Sequence, residues 1–374
     1  MNYFISGDSH GSAMIGVLTG IPAGMKLNIE KINKDLLKRQ SGYGRGKRMK
    51  IENDKVKIIS GLWKGYTTGA PITILIENKG KNTEKDIRSI PRPGHGDYSA
   101  YMKYKLPDLN IYTERNSARW TVVLTALGAI AKQFIEKFGI EIYGYVKSIG
   151  EVLYNENNFD IKKIEESIVK CPDEKTTKLM TKEIDLAKKE GITLGGSVKI
   201  IAQNIKPGLG GYSDIFEKID SKIGKLFMSI PSVKGLIIGN EDFTLSGRDY
   251  HDEFILDGDK NIRRKTNNAG GIEAGITNGE NIEITVFLKP IPTLATPLNS
   301  VDLKIREETK APYIRSDVTI IPSSVIILEN ALSLVLAESI IERFGNDNMT
   351  ELIRRYNSAN IFNWDDGFWE NNNR

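Results

Sequence analysis

The sequence predicts an α+β fold in which residues 1–353 form a single large domain. Long apolar helical segments and short strand-like runs follow one another without the regular alternation that a doubly wound sheet requires. The polar motifs that could form a site are spread from position 7 to position 317, and no linker or repeat separates them. One interwoven domain is therefore predicted rather than a chain of separate units.

Capping residues and apolar periodicity predict the individual elements. Asn28 can cap a helix that continues to about Gln40. The clearest helix runs from Ser117 to Phe138 and stops at Gly139. The other predicted elements are strands at 71–78, 141–147, 197–205 and 282–288, a charged helix at about 173–190 and an apolar helix at 323–344. The polar, Asn-rich segment 354–374 is predicted to be a poorly ordered C-terminal tail.

The charge distribution points to a specific anionic ligand. The 374 residues include 52 Lys and Arg against 48 Asp and Glu, so the overall balance favours no class of partner. Between Lys38 and Lys50, however, there are six basic residues and no acidic one. A local basic cluster on a nearly balanced chain is typical of a site for a small anion rather than of a general polyanion surface.

Composition also excludes several classes of protein. The single cysteine, Cys171, cannot form an internal disulfide or a cysteine-rich metal site. No run approaches 18 apolar residues, so no membrane span or membrane partner is expected. The N-terminus has no basic and apolar leader pattern, and the first motif begins at Gly7. These observations predict a cytoplasmic protein.

Two of the three histidines lie in glycine-flanked turns. The first turn is Gly7-Asp8-Ser9-His10-Gly11, and the second is Arg92-Pro93-Gly94-His95-Gly96-Asp97. Imidazole is the side chain whose unperturbed pKa lies between pH 5 and 8, so His10 and His95 are candidates for an acid/base pair. The alternative is that both are ordinary polar turns. Neither histidine has carboxylates at metal-ligand spacing, so no metal site is predicted.

Arginines supply the candidate anion contacts. Arg115 and Arg119 are four residues apart at the predicted start of a helix, where they would share a face beside free N–H groups. The alternative is a solvated helix end at which Glu114 pairs with one of them. The loop Arg45–Arg48 is either part of the anion site or an RNA-binding patch, although only Tyr43 offers an aromatic ring nearby.

Other motifs are weaker when taken alone. Lys289–Thr293 follows a predicted strand and can hold a phosphate, or it is an ordinary strand exit. Arg315-Ser316-Asp317 pairs a cation with a carboxylate that could act as a base, or it is a surface ion pair. His251 is interpreted as a structural histidine bonded to Asp252 rather than a ligand. The segment Pro207–Gly211 is interpreted as a flexible turn.

Taken in order, these motifs resemble the chorismate synthase family over residues 1 to about 345. The resemblance is carried by residues 7–11, Arg39-Gln40 with 44–52, 92–95, 114–119, 267–271, 289–294 and 315–317. It implies long helices layered between antiparallel β-sheets and a homotetramer. It also implies a 1,4-elimination of phosphate and a C6 proton from 5-enolpyruvylshikimate 3-phosphate to give chorismate, with reduced FMN required but no net redox change.

The resemblance assigns a role to individual residues. His10 would assist departure of the phosphate, His95 would set the protonation of the reduced flavin, and Asp317 would take part with the flavin in removing the C6 proton. The residues implied in binding the anionic substrate are Ser9, Arg39, Arg45, Arg48, Arg92, Arg119 and Arg315. Those implied in binding FMN are Arg115, Asn116, Ser117, Pro231, Ser232, Ala274, Lys289, Pro290, Ile291, Pro292, Thr293 and again Arg315.

The sequence departs from the family pattern at five positions. They are Asp8 for the usual Glu, Asn116 for Ala, Trp120 for Glu, Pro231 for Asn and Ala274 for Gly. Pro231 cannot donate a backbone N–H, so the flavin contacts there differ from the family pattern. None of the five is a proposed proton-transfer residue.

Three alternatives stay open from the sequence. The chain could reduce its own flavin with NADPH or depend on a separate flavin reductase, and the lack of a long insertion among the motifs favours the separate enzyme. Two rival functions are an Arg/Gly-loop RNA-binding protein, whose binding would depend steeply on salt, and a His-dependent phosphatase that needs no flavin.

Overall fold

A layer of helices lies between two antiparallel sheets in the computed structural model, which describes residues 1–45, 54–79, 86–155, 159–258, 262–313 and 317–359. The helices in these ranges are α1 (Ile29–Gln40), α2 (Asp97–Tyr104), α3 (Leu109–Asn116), α4 (Thr121–Ile135), α5 (Ile161–Glu166), α6 (Glu174–Glu190), α7 (Ile219–Ser229), α8 (Gly247–Tyr250), α9 (Ile321–Phe344) and α10 (Met349–Ser358).

The strands are mostly short, and several form isolated hairpins. They are β1 (Asn2–Ser6), β2 (Ala13–Thr19), β3 (Val56–Ser60), β4 (Leu62–Trp63), β5 (Tyr66–Thr67), β6 (Ile72–Glu77), β7 (Glu141–Ile149), β8 (Val152–Leu153), β9 (Gly196–Gln203), β10 (Val233–Ile238), β11 (Phe254–Leu256), β12 (Ile262–Arg264), β13 (Ile272–Glu273), β14 (Ile276–Thr277), β15 (Ile282–Leu288), β16 (Asn299–Asp302) and β17 (Glu307–Lys310).

Each sheet buries one face against the helical layer. The first sheet has the order β1-β2-β6-β3, and the second has the order β10-β15-β9-β7-β8. Helix α4 packs on β2 and β6, α9 packs on β7 and β9, and the two helices pack on each other more extensively than any other pair of elements. The order through the core is therefore first sheet, α4, α9 and second sheet, and the expected α+β arrangement of helices between antiparallel sheets is confirmed.

Two glycines let these layers approach closely. A Cβ atom on Gly16 of β2 would lie 2.4 Å from Cγ1 of Val123. A Cβ atom on Gly128 of α4 would lie 2.3 Å from the carbonyl oxygen of Asn330 in α9. Both distances are shorter than van der Waals contact, so only glycine fits at these crossings.

The structure confirms most of the long elements that capping residues and apolar periodicity predict. The Asn28 side chain accepts hydrogen bonds from the backbone N–H groups of Glu30 and Lys31, which caps α1 as expected. The helix predicted at 117–138 is α-helical only over Thr121–Ile135, with a 3₁₀ turn at each end. It ends at Gly139 with φ +76°, a left-handed C-cap.

The C-terminal helix extends past residue 353, where the sequence placed the end of the domain. Helix α10 continues to Ser358 because its apolar face is buried. Tyr356 is 3% exposed and packs against Phe138 and Phe344. Residues 360–374 of the predicted tail lie outside the described residues.

Helix α9 is long and apolar enough to cross a membrane by length and composition. The sequence predicts no membrane span, because serines, Glu329 and Asn330 interrupt the apolar residues of this segment. In the folded chain 94% of the most apolar 18-residue stretch of α9 is buried, which is typical of a core helix between two sheets. Among the described residues no other helix passes the same test.

Candidate active site

His10 lies in the turn between β1 and β2. Gly7 enters this turn with φ +111°, and a Cβ atom there would lie 2.6 Å from the carbonyl oxygen of Ala13. Asn78, which follows β6, donates from its side-chain amide to the carbonyl oxygen of Gly11 at 2.9 Å. The turn is therefore fixed by the hairpin and by the neighbouring strand. Gly7 is needed because a side chain at this position would collide with the backbone of Ala13.

Glu114 of α3 holds the His10 turn by three hydrogen bonds. Its Oε2 accepts from the Ser9 hydroxyl at 2.8 Å and from the backbone N–H of His10 at 2.7 Å. Its Oε1 lies 2.8 Å from Nδ1 of the His10 ring. The carboxylate thus fixes both the backbone and the imidazole of this candidate catalytic residue.

A buried carboxylate also organises two of the candidate substrate arginines. Asp54 accepts two hydrogen bonds from the Arg119 guanidinium, at 2.7 and 2.8 Å, and one from the side-chain amide of Gln40 at 2.7 Å. Arg39 lies at 3.9 Å from the same carboxylate. Arg119 also donates from Nε to Asn78 at 2.8 Å, which links the arginine pair to the His10 turn.

His95 lies in the turn before α2, beside the fully buried Asp97. Nδ1 of His95 is 2.8 Å from Oδ1 of Asp97, and Oδ2 of Asp97 accepts from Nε of Arg92 at 2.8 Å. Arg88 contacts the same carboxylate at 3.1 Å. Burial by itself raises the pKa of the Asp97 carboxyl, but hydrogen bonds from His95 and Arg92 outweigh it and hold that pKa well below its usual range.

Helix α3 connects the two histidine turns. Thr113 accepts a hydrogen bond from Arg92 of the His95 turn at 3.1 Å, and the next residue, Glu114, holds the His10 turn. A Cβ atom on Gly96 would lie 2.8 Å from the side-chain amide of Asn116, so the end of α3 also packs against the His95 turn. The spacing of the two histidines is set by this one short helix.

The expectation that Arg115 and Arg119 share one helix face is wrong. Arg115 belongs to the last turn of α3, whereas Arg119 lies in the 3₁₀ turn that precedes α4. Ser117 breaks the helix between them, because its extended backbone and its side chain cap the 3₁₀ turn. Arg115 is exposed and reaches the carbonyl oxygen of Ile5 at 3.4 Å, whereas Arg119 binds Asp54.

Asp317 pairs with Arg45 at the start of α9. NH1 of Arg45 is 3.0 Å from Oδ2 of Asp317 and 3.2 Å from the hydroxyl of Ser323. The backbone N–H of Val318 donates to the carbonyl oxygen of Gly44, so the basic loop and the Asp317 segment lie side by side. Arg48 and Arg315 lie outside the described residues.

The segment Lys289–Thr293 lies against the His95 turn. The Lys289 ammonium donates to the carbonyl oxygen of Gly94, and a Cβ atom on Gly94 would lie 3.2 Å from Pro292. The backbone N–H of Lys289 donates to the carbonyl oxygen of Ser232 at 2.9 Å, and Ser232 has φ +73°. The structure therefore brings the 231–232 and 289–293 motifs together beside His95.

Several of the residues implied in FMN binding fit a phosphate-bearing flavin in chemical type. Arg115 and Lys289 are cations, Asn116 and Ser117 carry polar side chains, and the prolines at 290 and 292 give a fixed wall. Ala274 does not join this group through the described contacts. Its neighbour Gly275 accepts a hydrogen bond from Ile219 at the start of α7, whereas Ser232 follows the end of α7, about 16 Å away along the helix axis.

Two weaker sequence interpretations are wrong. Among the described residues no hydrogen bond joins the His251 ring to Asp252, which instead accepts from Thr266 and from the backbone at 268 and 269. The segment at 207–211 is held in place, because the backbone N–H groups of Gly208 and Leu209 donate to Thr277. No group of three or more His, Cys, Asp or Glu residues in the described ranges could hold a metal ion.

Sequence reasoning missed the carboxylates that orient the site. Asp54 carries no local signal, because its partners lie 14 and 65 residues away along the chain. Asp97 offered a signal, since it lies two residues after His95 inside the motif. Two histidines and several arginines, held by carboxylates, are the types of side chain that enzymes use for proton transfer on anionic substrates.

Comparison with known proteins identifies the family to which this chain belongs. The sequence model described as chorismate synthase matches residues 1–341. The chorismate synthase of Thermotoga maritima is 52% identical, with all of both chains covered, and that of Alkaliphilus metalliredigens is 42% identical over 94% of this chain and 97% of its own. A solved structure described as a crystal structure of chorismate synthase is 32% identical, with a TM-score of 0.79, and covers 95% of this chain and 96% of its own. The chain belongs to the chorismate synthase family and is a lyase.

Proposed function

We propose that this chain catalyses the 1,4-elimination of phosphate and a C6 proton from 5-enolpyruvylshikimate 3-phosphate, which yields chorismate in the shikimate pathway. The observation that supports it most is the pair of carboxylate-held histidines, His10 and His95, joined through α3 and surrounded by arginines. The substrate carries a phosphate and two carboxylates, and this explains the local concentration of guanidinium groups.

The substrate anions would be held by side chains that the fold already orients. Arg39, Arg92 and Arg119 are each placed by a carboxylate, and Ser9 is placed by Glu114. Pre-oriented guanidinium groups lose little freedom on binding, which favours affinity for a multiply charged ligand. Arg45, and by resemblance Arg48 and Arg315, would complete the anion contacts.

Three side chains would handle protons. His10 would protonate the departing phosphate, and His95 would set the protonation of the reduced cofactor. Asp317 would take part in removing the C6 proton, and its Oδ2 lies 3.0 Å from NH1 of Arg45. General acid and base groups of this kind contribute roughly 10²–10⁴-fold in rate each.

Reduced FMN is the proposed cofactor, held by Arg115, Asn116, Ser117, Pro231, Ser232, Lys289–Thr293 and Arg315, with Ala274 assigned by resemblance alone. When bound, it would lend electron density as the C–O bond breaks and recover it as the proton leaves, without net redox change. The protein would orient it and exclude oxygen and water. NADPH or a separate flavin reductase would supply the reduced form, and the enzyme would act in the cytoplasm.

Anaerobic turnover with a limited amount of reduced FMN tests this function. One equivalent should support many turnovers of substrate, whereas oxidised FMN should support none. His10→Ala and His95→Ala should lower kcat by ~10²–10⁴ with a much smaller change in KM, because each removes a proton-transfer group. His251→Ala is the matched control, since that exposed ring lies in a separate hairpin region.

Two results would contradict the proposal. Consumption of one flavin per product would make the enzyme an ordinary oxidoreductase. Phosphate that contains oxygen from ¹⁸O-labelled water, with no flavin required, would favour the phosphatase alternative.

A further inference from the structure

Both histidines of the site bind a carboxylate through the same ring nitrogen. Nδ1 of His10 lies 2.8 Å from Glu114, and Nδ1 of His95 lies 2.8 Å from Asp97. An ionised carboxylate can only accept hydrogen bonds, so a ring nitrogen at this distance carries the proton. The contact thereby selects one of the two neutral forms of each imidazole.

Two other donors beside Glu114 both face Oε2 rather than Oε1. The Ser9 hydroxyl also lies 2.9 Å from Nδ1 of His10, but it donates its own proton to Oε2 of Glu114. The backbone N–H of His10 occupies that same Oε2. Oε1 of Glu114 therefore faces Nδ1, and the hydrogen between them belongs to the ring.

The surroundings of Asp97 give the same result for His95. Arg88 and Arg92 both contact this buried carboxylate, which keeps it ionised. NH2 of Arg92 lies 3.1 Å from Nδ1 and 3.2 Å from Nε2 of His95, so this contact favours neither ring nitrogen. The tautomer of His95 therefore follows from the 2.8 Å contact between Nδ1 and the ionised Asp97 carboxylate.

We propose that Glu114 and Asp97 are positioning residues that hold His10 and His95 in the Nδ1–H form, so that Nε2 is the nitrogen at which each ring exchanges a proton. The assignment of the tautomers rests on geometry alone. The proton-exchange clause rests on the proposed function. Neither carboxylate touches the reacting atoms in this arrangement; each acts through its histidine.

The carboxamide variants should reverse the tautomer for a structural reason. In Glu114→Gln the amide oxygen must stay at the backbone N–H of His10, because an NH2 group there would face another donor. The NH2 group then faces Nδ1, which must accept, and the ring proton moves to Nε2. In Asp97→Asn the amide oxygen is expected at the Oδ2 position, which three donors face, although the NH2 group would then also face NH2 of Arg92, which contacts Oδ1 at 3.0 Å in the unmodified protein.

Nitrogen NMR of ring-¹⁵N-labelled histidine tests the tautomers directly, because the chain has only three histidines. At about pH 9, above the usual titration range of imidazole, the free enzyme should show two rings in the Nδ1–H form. Glu114→Gln should move only the His10 signal to the Nε2–H form, and Asp97→Asn only the His95 signal. Each variant is the control of the other, and His251→Gln assigns the third ring.

A matched control excludes a general effect of losing a glutamate. Glu136 is ion-paired to Lys31 at 2.7 Å on the surface, outside the site. Glu136→Gln should move neither signal. If Asp97→Asn does not fold, the spectrum of the unmodified enzyme and that of Glu114→Gln still decide the proposal.

Measurements of activity then separate the tautomer assignment from the role of Nε2 in proton exchange. Glu114→Gln should lower kcat for the elimination by ~10²–10⁴ with KM nearly unchanged, as for loss of a general acid. A site histidine in the Nε2–H form in the unmodified enzyme would overturn the tautomer assignment. A reversed tautomer with full kcat would overturn the proton-exchange clause. Absence of elimination by the unmodified enzyme would overturn the proposed function and leave the NMR result standing.

Discussion

Asp97 is a charged side chain of the site and has no exposed surface. Its two oxygens are shared by Arg88, Arg92 and His95. Removing one partner from a buried network of charges leaves the remaining charges desolvated and uncompensated. The free-energy cost of that removal is larger than the net stability that the intact network gives relative to apolar side chains in its place. The residue therefore matters for stability as well as for orienting His95.

Asp97→Asn should destabilise the protein in a pH-dependent way. The pKa of this carboxyl is lowered in the folded state, mainly by hydrogen bonds from His95 and Arg92 that outweigh the effect of burial. Its contribution to stability is therefore complete above the unfolded pKa of about 4 and is lost as the pH falls through the folded value. We expect a loss of about 3–5 kcal/mol at pH 7, and a smaller difference from the parent below about pH 4.

Urea unfolding at pH 7, 5 and 3.5 measures this difference. Asp242→Asn is the matched control, because Asp242 is exposed and bonds to Thr244 within its own turn. Its effect should be much smaller at every pH. An Asp97→Asn deficit that is larger at pH 3.5 than at pH 7 would contradict the assigned role of the charge.

At the scale of elements, the crossing of α4 and α9 depends on backbone contact. Gly128 of α4 faces the carbonyl oxygen of Asn330 so closely that no side chain fits between the two helices. This crossing holds the two sheets at their separation, since α4 packs on the first sheet and α9 on the second. The 3₁₀ turn with Arg119 leads directly into α4, and Asp317 lies just before α9.

Gly128→Ala should destabilise the protein, although Gly→Ala in a helix interior normally stabilises it by about 1 kcal/mol. The new methyl group would lie 2.3 Å from the Asn330 carbonyl oxygen, and overpacking of this kind costs roughly 1–3 kcal/mol or more. Gly224→Ala in α7 is the matched control, because nothing lies within 4 Å of its added methyl group. Thermal unfolding should lower the midpoint for Gly128→Ala and raise it for Gly224→Ala; the same sign for both would refute the close crossing.

At the scale of the whole molecule, the outer face of the first sheet is unusually apolar. Phe4 is 67% exposed and Ile15 lies on the same face, and Ile59, at the irregularity of the edge strand β3, is 60% exposed. Surface of this kind on one chain is typical of a region covered by a neighbouring subunit. It agrees with the homotetramer that the resemblance to chorismate synthases implies.

We expect sedimentation velocity at micromolar protein to show a single species of four chains. Because apolar burial drives such association, raising the salt concentration should leave the assembly intact. Phe4→Lys would place a charge in the middle of the apolar face and should shift the distribution towards smaller species. A monomer in the unmodified protein under these conditions would refute the homotetramer.

The sequence by itself determined the local structure and the types of side chain in the site. Asn28, Asp173 and Gly139 signal helix ends through bonds within a few residues, so the helices they bound were predictable. The glycine-flanked histidines and the arginines were visible as motifs because they are contiguous in the chain. The resemblance to a known family then assigned their roles.

Only the tertiary structure decided which groups work together. Glu114 meets His10 across 104 residues and Asp54 meets Arg119 across 65, and no local pattern encodes a contact between segments that distant. The break at Ser117, which separates Arg115 from Arg119, is by contrast local, because the Ser117 side chain caps the 3₁₀ turn that follows it. Local propensity determines the elements because it acts between residues that are neighbours along the chain. A buried carboxylate and its cation come into contact only when the whole chain folds and buries both of them.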